Sequence, residues 1–389
     1  MQELAEACKG GDAVSVARII QQGGAMLDGA FATTLDESIL MTPLMICAWN
    51  ADDMCAKLLI DAGANVDLAC GPDKETALHV SCAQGNDKLT ELLIRAGASL
   101  LLADHLGRCP LLMSCLCDQP SCAELLLAAH ADCEQSMTKH NPGATPLYAA
   151  ALSGSVRCVS ILCEAGANVD AKTFNGATPL MVSCQQGHLQ TSMILSSYGA
   201  SRGKGHFQGC LPRTGSWAED LAGRSGSAEL IEWLHESSPE GFGALHHVEV
   251  LTVRRARTLL RSGRFSPFAG GDQSPVARAR RLLREHRAAP AAALILRASA
   301  PWSPASHELW GTKQRALAIE LLKIGHKLCP KWGRALLDVW ISNVVPHILT
   351  WESSADESEV DAARGASCAA SIEDAWHDFS ARRGYEHLG

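Results

Sequence analysis

The chain of 389 residues carries 34 basic and 42 acidic side chains, 47% hydrophobic residues and only 5% aromatics. That balance argues against wholesale disorder, and nowhere does an apolar run reach the roughly 18 residues a membrane-spanning helix needs. So few aromatics imply cores built from Leu, Ala, Val and Ile, the palette of closely approaching helices.

Charge is uneven along the chain: residues 1–240 have a net charge of −13, residues 241–300 of +8 and residues 301–389 of −3. The basic middle reads as an arginine-rich face on solvated helices. Nucleic acid is not the expected partner, because no aromatics interleave with the arginines to stack on bases. The opening "MQELAEACKGGD" has neither a basic start nor an apolar run, so no secretion signal is expected. The 16 cysteines lack paired spacing and read as reduced thiols, which sets the expected location as cytoplasmic or nuclear.

Residues 1–25 read as a helix pair capping the N-terminus, followed by an insertion over about 26–40. A repeat then begins. "MTPLMICAWN", "ETALHVSCAQGN", "RCPLLMSCLCD", "ATPLYAAALSGS" and "ATPLMVSCQQGH" open with motif residues Thr42, Thr76, Cys109, Thr145 and Thr178, at spacings of 34, 33, 36 and 33. Sixteen residues after each start comes an aliphatic pair: Leu58 and Leu59, Leu92 and Leu93, Leu125 and Leu126, Ile161 and Leu162, Ile194 and Leu195. "GAN", "GAS", "HAD", "GAN" and "GAS" follow in step, so only the connecting loops change length.

The spacing predicts two short helices per unit. Thr caps the first and Pro suits its first turn. A Gly such as Gly85, Gly154 or Gly187 turns the chain, and a second Gly ends the second helix in the left-handed region. Each unit has two apolar faces that only neighbours can cover, so stacking is obligatory.

This pattern resembles the ankyrin repeat, most fully over residues 145–200 and in outline over 1–235. The resemblance implies an all-α solenoid of stacked helix pairs with hairpin loops. Repeats are expected near 42–74, 76–107, 109–143, 145–176 and 178–215, with a degenerate pair at 217–240, giving a repeat domain over 1–240. A helical extension over 241–350 is expected to begin with a further degenerate pair at 243–265. Within it "SPVARARRLLREHR", "PAAALILRAS" and "KQRALAIELLKIGHKL" read as helices. Residues 332–349 faintly resemble the first helices of an F-box. Residues 351–389 read as a disordered acidic linker ending in a short amphipathic helix with Ile372, Trp376 and Phe379 on one face.

Candidate chemistry weighs little against packing. Cys184 precedes His188 by four residues, but Gly187 breaks the helix between them, and Ala48 and Ala151 share the Cys184 slot with Cys82 and Cys115. A small apolar side chain is what that slot requires. The cluster Cys115, Cys117, Cys122, His130 and Cys133 invites a zinc reading, yet the repeat register sends these side chains apart. His246 fills the motif's histidine position, as His79 does, where the family uses it to order the inter-repeat backbone. No nucleophile elbow, zinc-protease or phosphate-loop motif occurs, so no enzyme, cofactor or metal is expected.

What remains is a recognition surface on a monomer. The family binds through hairpin tips and the exposed residues of the first helices. By register these are Trp49, Leu116, Leu152 and Gln185 on the helices, with Lys74, Glu75, His105, Arg108, Phe174 and Asn175 on the hairpins. An apolar centre with a charged rim suits a protein partner. The alternative is a ubiquitin-ligase substrate adaptor in which 332–349 recruits the ligase and the repeats hold the substrate.

Overall fold

The computed structural model describes residues 2–22, 27–32, 40–203, 213, 216–237, 244–262, 274–285, 287 and 289–299. The F-box-like segment at 332–349, the acidic linker and amphipathic helix at 351–389 and the helix expected over "KQRALAIELLKIGHKL" lie outside these residues. The chain divides into two compact units, Met1–Ala244 and Leu245–Gly389.

The first unit is a ladder of helix pairs: α1 (Gln2–Lys9) with α2 (Ala13–Gln21), α3 (Pro43–Asn50) with α4 (Asp53–Asp61), and α5 (Ala77–Gln84) with α6 (Asp87–Arg95). It continues through α7 (Pro110–Leu116) and α8 (Pro120–Ala128), α9 (Pro146–Ser153) and α10 (Val156–Glu164), α11 (Pro179–Gln186) and α12 (Leu189–Ser197), to α13 (Trp217–Ser225) and α14 (Ala228–Glu236). The insertion after α2 contains the two-residue strands β1 (Phe31–Ala32) and β2 (Leu40–Met41), paired antiparallel.

Local chemistry sets the helix ends. The hydroxyls of Thr42, Thr145 and Thr178 accept from the backbone N–H three residues on, at 3.1, 3.3 and 3.3 Å, and the Cys109 thiol does the same for Leu112 at 3.4 Å. Pro43, Pro110, Pro146 and Pro179 occupy the first helical turn, where the missing N–H costs nothing. At the turn between the helices Gly85, Gly154 and Gly187 have φ of 73°, 76° and 79°; Ala51 and Asp118 hold the same conformation in the first and third repeats, at 57° and 54°.

The first helices from α1 to α13 pack on one another in one row, and the second helices from α2 to α12 form a second row. Between the rows runs a column at one repeat position, Leu59, Leu93, Leu126, Leu162 and Leu195, each wholly buried. Burying each leucine contributes about 1.5–3 kcal/mol, and neighbouring repeats help to cover it. The longer third repeat places its extra residues in the hairpin, which closes through Met137 N–H to the Ala144 carbonyl at 2.9 Å.

Where the second unit begins, the expected first helix of a pair at 243–265 is a three-residue 3₁₀ turn, Ala244–His246, whose first residue closes the first unit, followed by a single helix α15 (Val253–Ser262). The segment "VEVLT" explains the shortfall: Val248, Val250 and Thr252 are β-branched and lose side-chain freedom in a helix. Helices α16 (Pro275–Arg284) and α17 (Ala292–Ser299) follow, and α17 packs on both α15 and α16.

Candidate functional site

Two rows of side chains follow from the stack. The position after the buried small-residue slot near the end of each first helix holds Trp49, Ala83, Leu116, Leu152 and Gln185. Because α3, α5, α7, α9 and α11 pack in sequence, these residues form one row. Trp49 is 57% and Leu152 38% exposed, Leu116 is half-buried and Gln185 is exposed. The row is therefore apolar at four of five places, three of them large side chains, where water would favour polar groups.

The second row is the hairpin tips. Their backbones bond from repeat to repeat: His105 N–H to the Asp73 carbonyl at 2.8 Å, Lys139 N–H to Leu106 at 3.3 Å and Phe174 N–H to Pro142 at 2.8 Å. This ladder holds Phe174 out at 87% exposure with Asn175 beside it, also exposed. Lys74 is exposed and left-handed, with φ of 53°.

Between the second and third repeats the tips carry an ionic cluster. Arg108 donates through Nε to Asp104 Oδ2 at 2.5 Å and lies with Nη2 at 3.7 Å from Glu75 Oε1. His105 Nδ1 lies 3.2 Å from Asp73 Oδ1. Burial pushes the Glu75 carboxyl above its ordinary value, and the Arg108 guanidinium pulls it back down. The structure thus joins Glu75, Arg108 and His105 into one region, whereas Trp49 belongs to the first repeat, and Leu152 and Phe174 to the helix and the hairpin of the fourth.

Asp104 is the residue that sequence reasoning passed over. Its buried carboxylate accepts from the N–H groups of Leu106 and Arg108, at 2.9 and 2.8 Å, as well as from the Arg108 side chain, and so fixes that arginine. The signal was present in "DHLGR", an aspartate able to bond its own turn two residues on, with Gly107 at φ 82°. A second omission is Leu101 and Leu102, apolar and exposed at 62% and 38% on the loop after the helices of the second repeat.

The histidine of the motif behaves as the family pattern implies. His79 Nδ1 accepts from the Thr76 N–H at 3.3 Å, and Nε2 donates to the Arg108 carbonyl of the next repeat at 3.0 Å. Burial holds its pKa below the ordinary histidine value, so the ring stays neutral.

The Cys184 thiol meets Ser192 Oγ at 3.7 Å, and His188 Nε2 instead donates to the Leu152 carbonyl at 3.2 Å. Burial raises the Cys184 pKa to about 11, the reverse of what a nucleophile needs. The candidate zinc ligands face different neighbours: Cys115 pairs with Cys158, Cys122 with Cys82 and with Asp87 Oδ1 at 3.4 Å, Cys133 reaches Glu134, and Cys117 and His130 are exposed. Among the described residues, no three His, Cys, Asp or Glu side chains are gathered as a metal set, and no helix is long and apolar enough to cross a membrane.

A ladder of helix pairs with stacked hairpin tips defines a solenoid binding module. The family model described as "Ankyrin repeats (3 copies)" matches residues 44–138 and again 131–204, so this stretch consists of ankyrin repeats, which are protein–protein interaction modules. The human "Ankyrin repeat and SOCS box protein 16" is 34% identical over 150 residues, covering 36% of this chain and 32% of the relative. The Arabidopsis thaliana "Putative E3 ubiquitin-protein ligase XBAT31" is 28% identical over 132 residues, covering 34% of this chain and 24% of the relative. This chain therefore spans about a third or less of both relatives. Among solved structures, the human ASB11 ankyrin repeat domain is similar with a TM-score of 0.49 and 26% identity, over 59% of this chain and 96% of that one.

Proposed function

We propose that this chain is a non-enzymatic scaffold that captures a partner protein on its first-helix row and hairpin tips. The observation that carries the reading is the apolar row of exposed Trp49 and Leu152 with half-buried Leu116, on the same stack as the Glu75–Arg108–Asp104 cluster. An apolar centre and a charged rim divide the work. The aromatic and aliphatic groups supply affinity on desolvation, and the ion pairs penalise partners with the wrong charge. Trp49, Phe174 and Leu152 are the anchors, Lys74, Glu75, His105, Arg108, Asn175 and Gln185 the rim, and residues 1–240 the binding domain.

Affinity purification with mass spectrometry identifies the partner, and Trp49→Ala combined with Leu152→Ala tests the surface. The double variant is expected to keep its circular dichroism and lose at least tenfold in affinity, since two truncated anchors each cost over about 1 kcal/mol. Undiminished recovery of the partner sinks the reading.

A second reading is favoured by one observation, the relative that carries the words "E3 ubiquitin-protein ligase" in its name. Here the same surface holds a substrate and residues 332–349 engage the ligase. Deleting 332–349 is then expected to abolish ligase association and spare partner capture; loss of neither or of both counts against it.

A further inference from the structure

Helix α16 is amphipathic in an unusual way. Val276, Ala279 and Leu282 are buried with Arg278, which donates to Glu249 Oε1 at 2.8 Å. The outward side carries Arg280, Arg281 and Arg284, and Arg287 follows on the turn closed by its N–H to the Leu282 carbonyl at 3.0 Å; all four are exposed. Among the described residues of this unit the carboxylates are Glu249, already engaged by Arg278, and Glu285 at the end of the helix.

Four guanidiniums within eight positions repel one another. Arg280 and Arg284 are four apart and Arg281 and Arg284 three, spacings at which like charges destabilise a helix. The helix dipole offsets only about half a charge at its C-terminus. A solvated basic face keeps this repulsion, whereas an anionic occupant removes it.

We propose that this arginine face docks an acidic peptide, and that the occupant is residues 352–361 of the same chain, "ESSADESEVD". Five carboxylates fall in those ten residues, the densest acidic stretch of the sequence. Tethering on one chain gives the pairing an effective concentration of about millimolar, which a free acidic peptide has to match. The occupied face is closed to other polyanions.

Elution of the full chain from heparin–agarose in a salt gradient tests this. The intact chain is expected to elute early. The variant E352Q/D356N/E357Q/E359Q/D361N is expected to elute about 0.1 M salt or more later, because the uncovered arginines now bind the resin. Adding R280Q/R281Q/R284Q/R287Q to that variant is expected to restore early elution, with circular dichroism reporting that the helices persist. A synthetic peptide of residues 350–363 is expected to displace the acid-neutralised chain from the resin, and its neutralised counterpart is not. Equal elution of the intact and acid-neutralised chains overturns the proposal. If both are early the face binds no anion; if both are late it is open to an external polyanion such as nucleic acid. A shift of the intact chain with its own concentration also overturns it, by assigning the occupant to a second copy.

Discussion

The third and fourth repeats follow one plan with unequal materials. In the fourth, Thr145 caps the first helix, Gly154 and Gly166 take the two left-handed positions with φ of 76° and 94°, and Asn168 N–H donates to Glu134 of the preceding repeat at 2.8 Å. In the third, Cys109 caps, Asp118 and His130 hold the left-handed positions with φ of 54° and 65°, and the carboxylate that should reach Asp132 from the second repeat is replaced by Leu101. The same carboxylate bond recurs at Asp28 to Asn65, Asp67 to Ser99 and Asp170 to Ser201, at 2.8, 2.7 and 2.8 Å. A solenoid tolerates such local loss because each interface adds its own share, and the Leu column is unchanged through both repeats. The ionic cluster and the exposed Leu101 both lie in the segments that lead into the third repeat, so the departures gather beside the surface where a partner is proposed to bind.

The largest test asks whether the shared core is equal. Leu126→Ala and Leu162→Ala occupy the same column position, both wholly buried, and each is expected to cost about 2–5 kcal/mol in urea unfolding. A cost below about 1 kcal/mol for Leu126 alone means the third repeat is not packed like the fourth.

Glycine substitutions separate crowding from backbone strain. At Gly107, φ is 82° and an added Cβ meets the Thr138 backbone nitrogen at 2.6 Å; at Gly166, φ is 94° and nothing lies within 4 Å. Gly166→Ala is expected to cost about 1–2 kcal/mol from conformation alone, and Gly107→Ala more, because backbone must move. Equal midpoints in denaturant melts contradict the hairpin contact.

The converse change relieves strain: His130→Gly is expected to raise stability by up to about 1 kcal/mol, read as a higher melting temperature. His79 makes the interface of the second and third repeats sensitive to acid. Its folded pKa is lowered from 6.5, so the unfolded chain binds a proton first. Its contribution is then full above pH 6.5 and is lost as pH falls below that value. Wild type is expected to lose more stability than His79→Gln between pH 7 and pH 5; parallel losses exclude this residue. The smallest expected effect is Leu101→Asn, which restores a side-chain acceptor for the Asp132 N–H without placing a second charge beside Asp132. A gain of about 0.5 kcal/mol is expected, visible as slower amide exchange at Asp132.

Much of this was legible from one strand of sequence because the repeat's determinants are local. Thr145 and Pro146 set a helix start within four residues, Gly154 needs only its own φ, and the Leu162 position follows from the period. The same reasoning placed Trp49 and Phe174 at the surface, since register alone decides which side of a helix or hairpin they occupy. It failed at 243–265, where matched spacing outweighed the β-branched residues that leave a 3₁₀ turn. Contacts between repeats carry no local signature. The Arg108 side chain meeting Glu75, the His79 ring meeting the Arg108 carbonyl and Glu134 meeting Asn168 join residues 33, 29 and 34 apart in sequence. The sequence by itself determined the repeat, its helix ends and its buried column, because those depend on backbone preference and periodic apolar burial. Which charges meet, and which thiols and carboxylates face one another, was decided only when stacking brought successive repeats within hydrogen-bond reach.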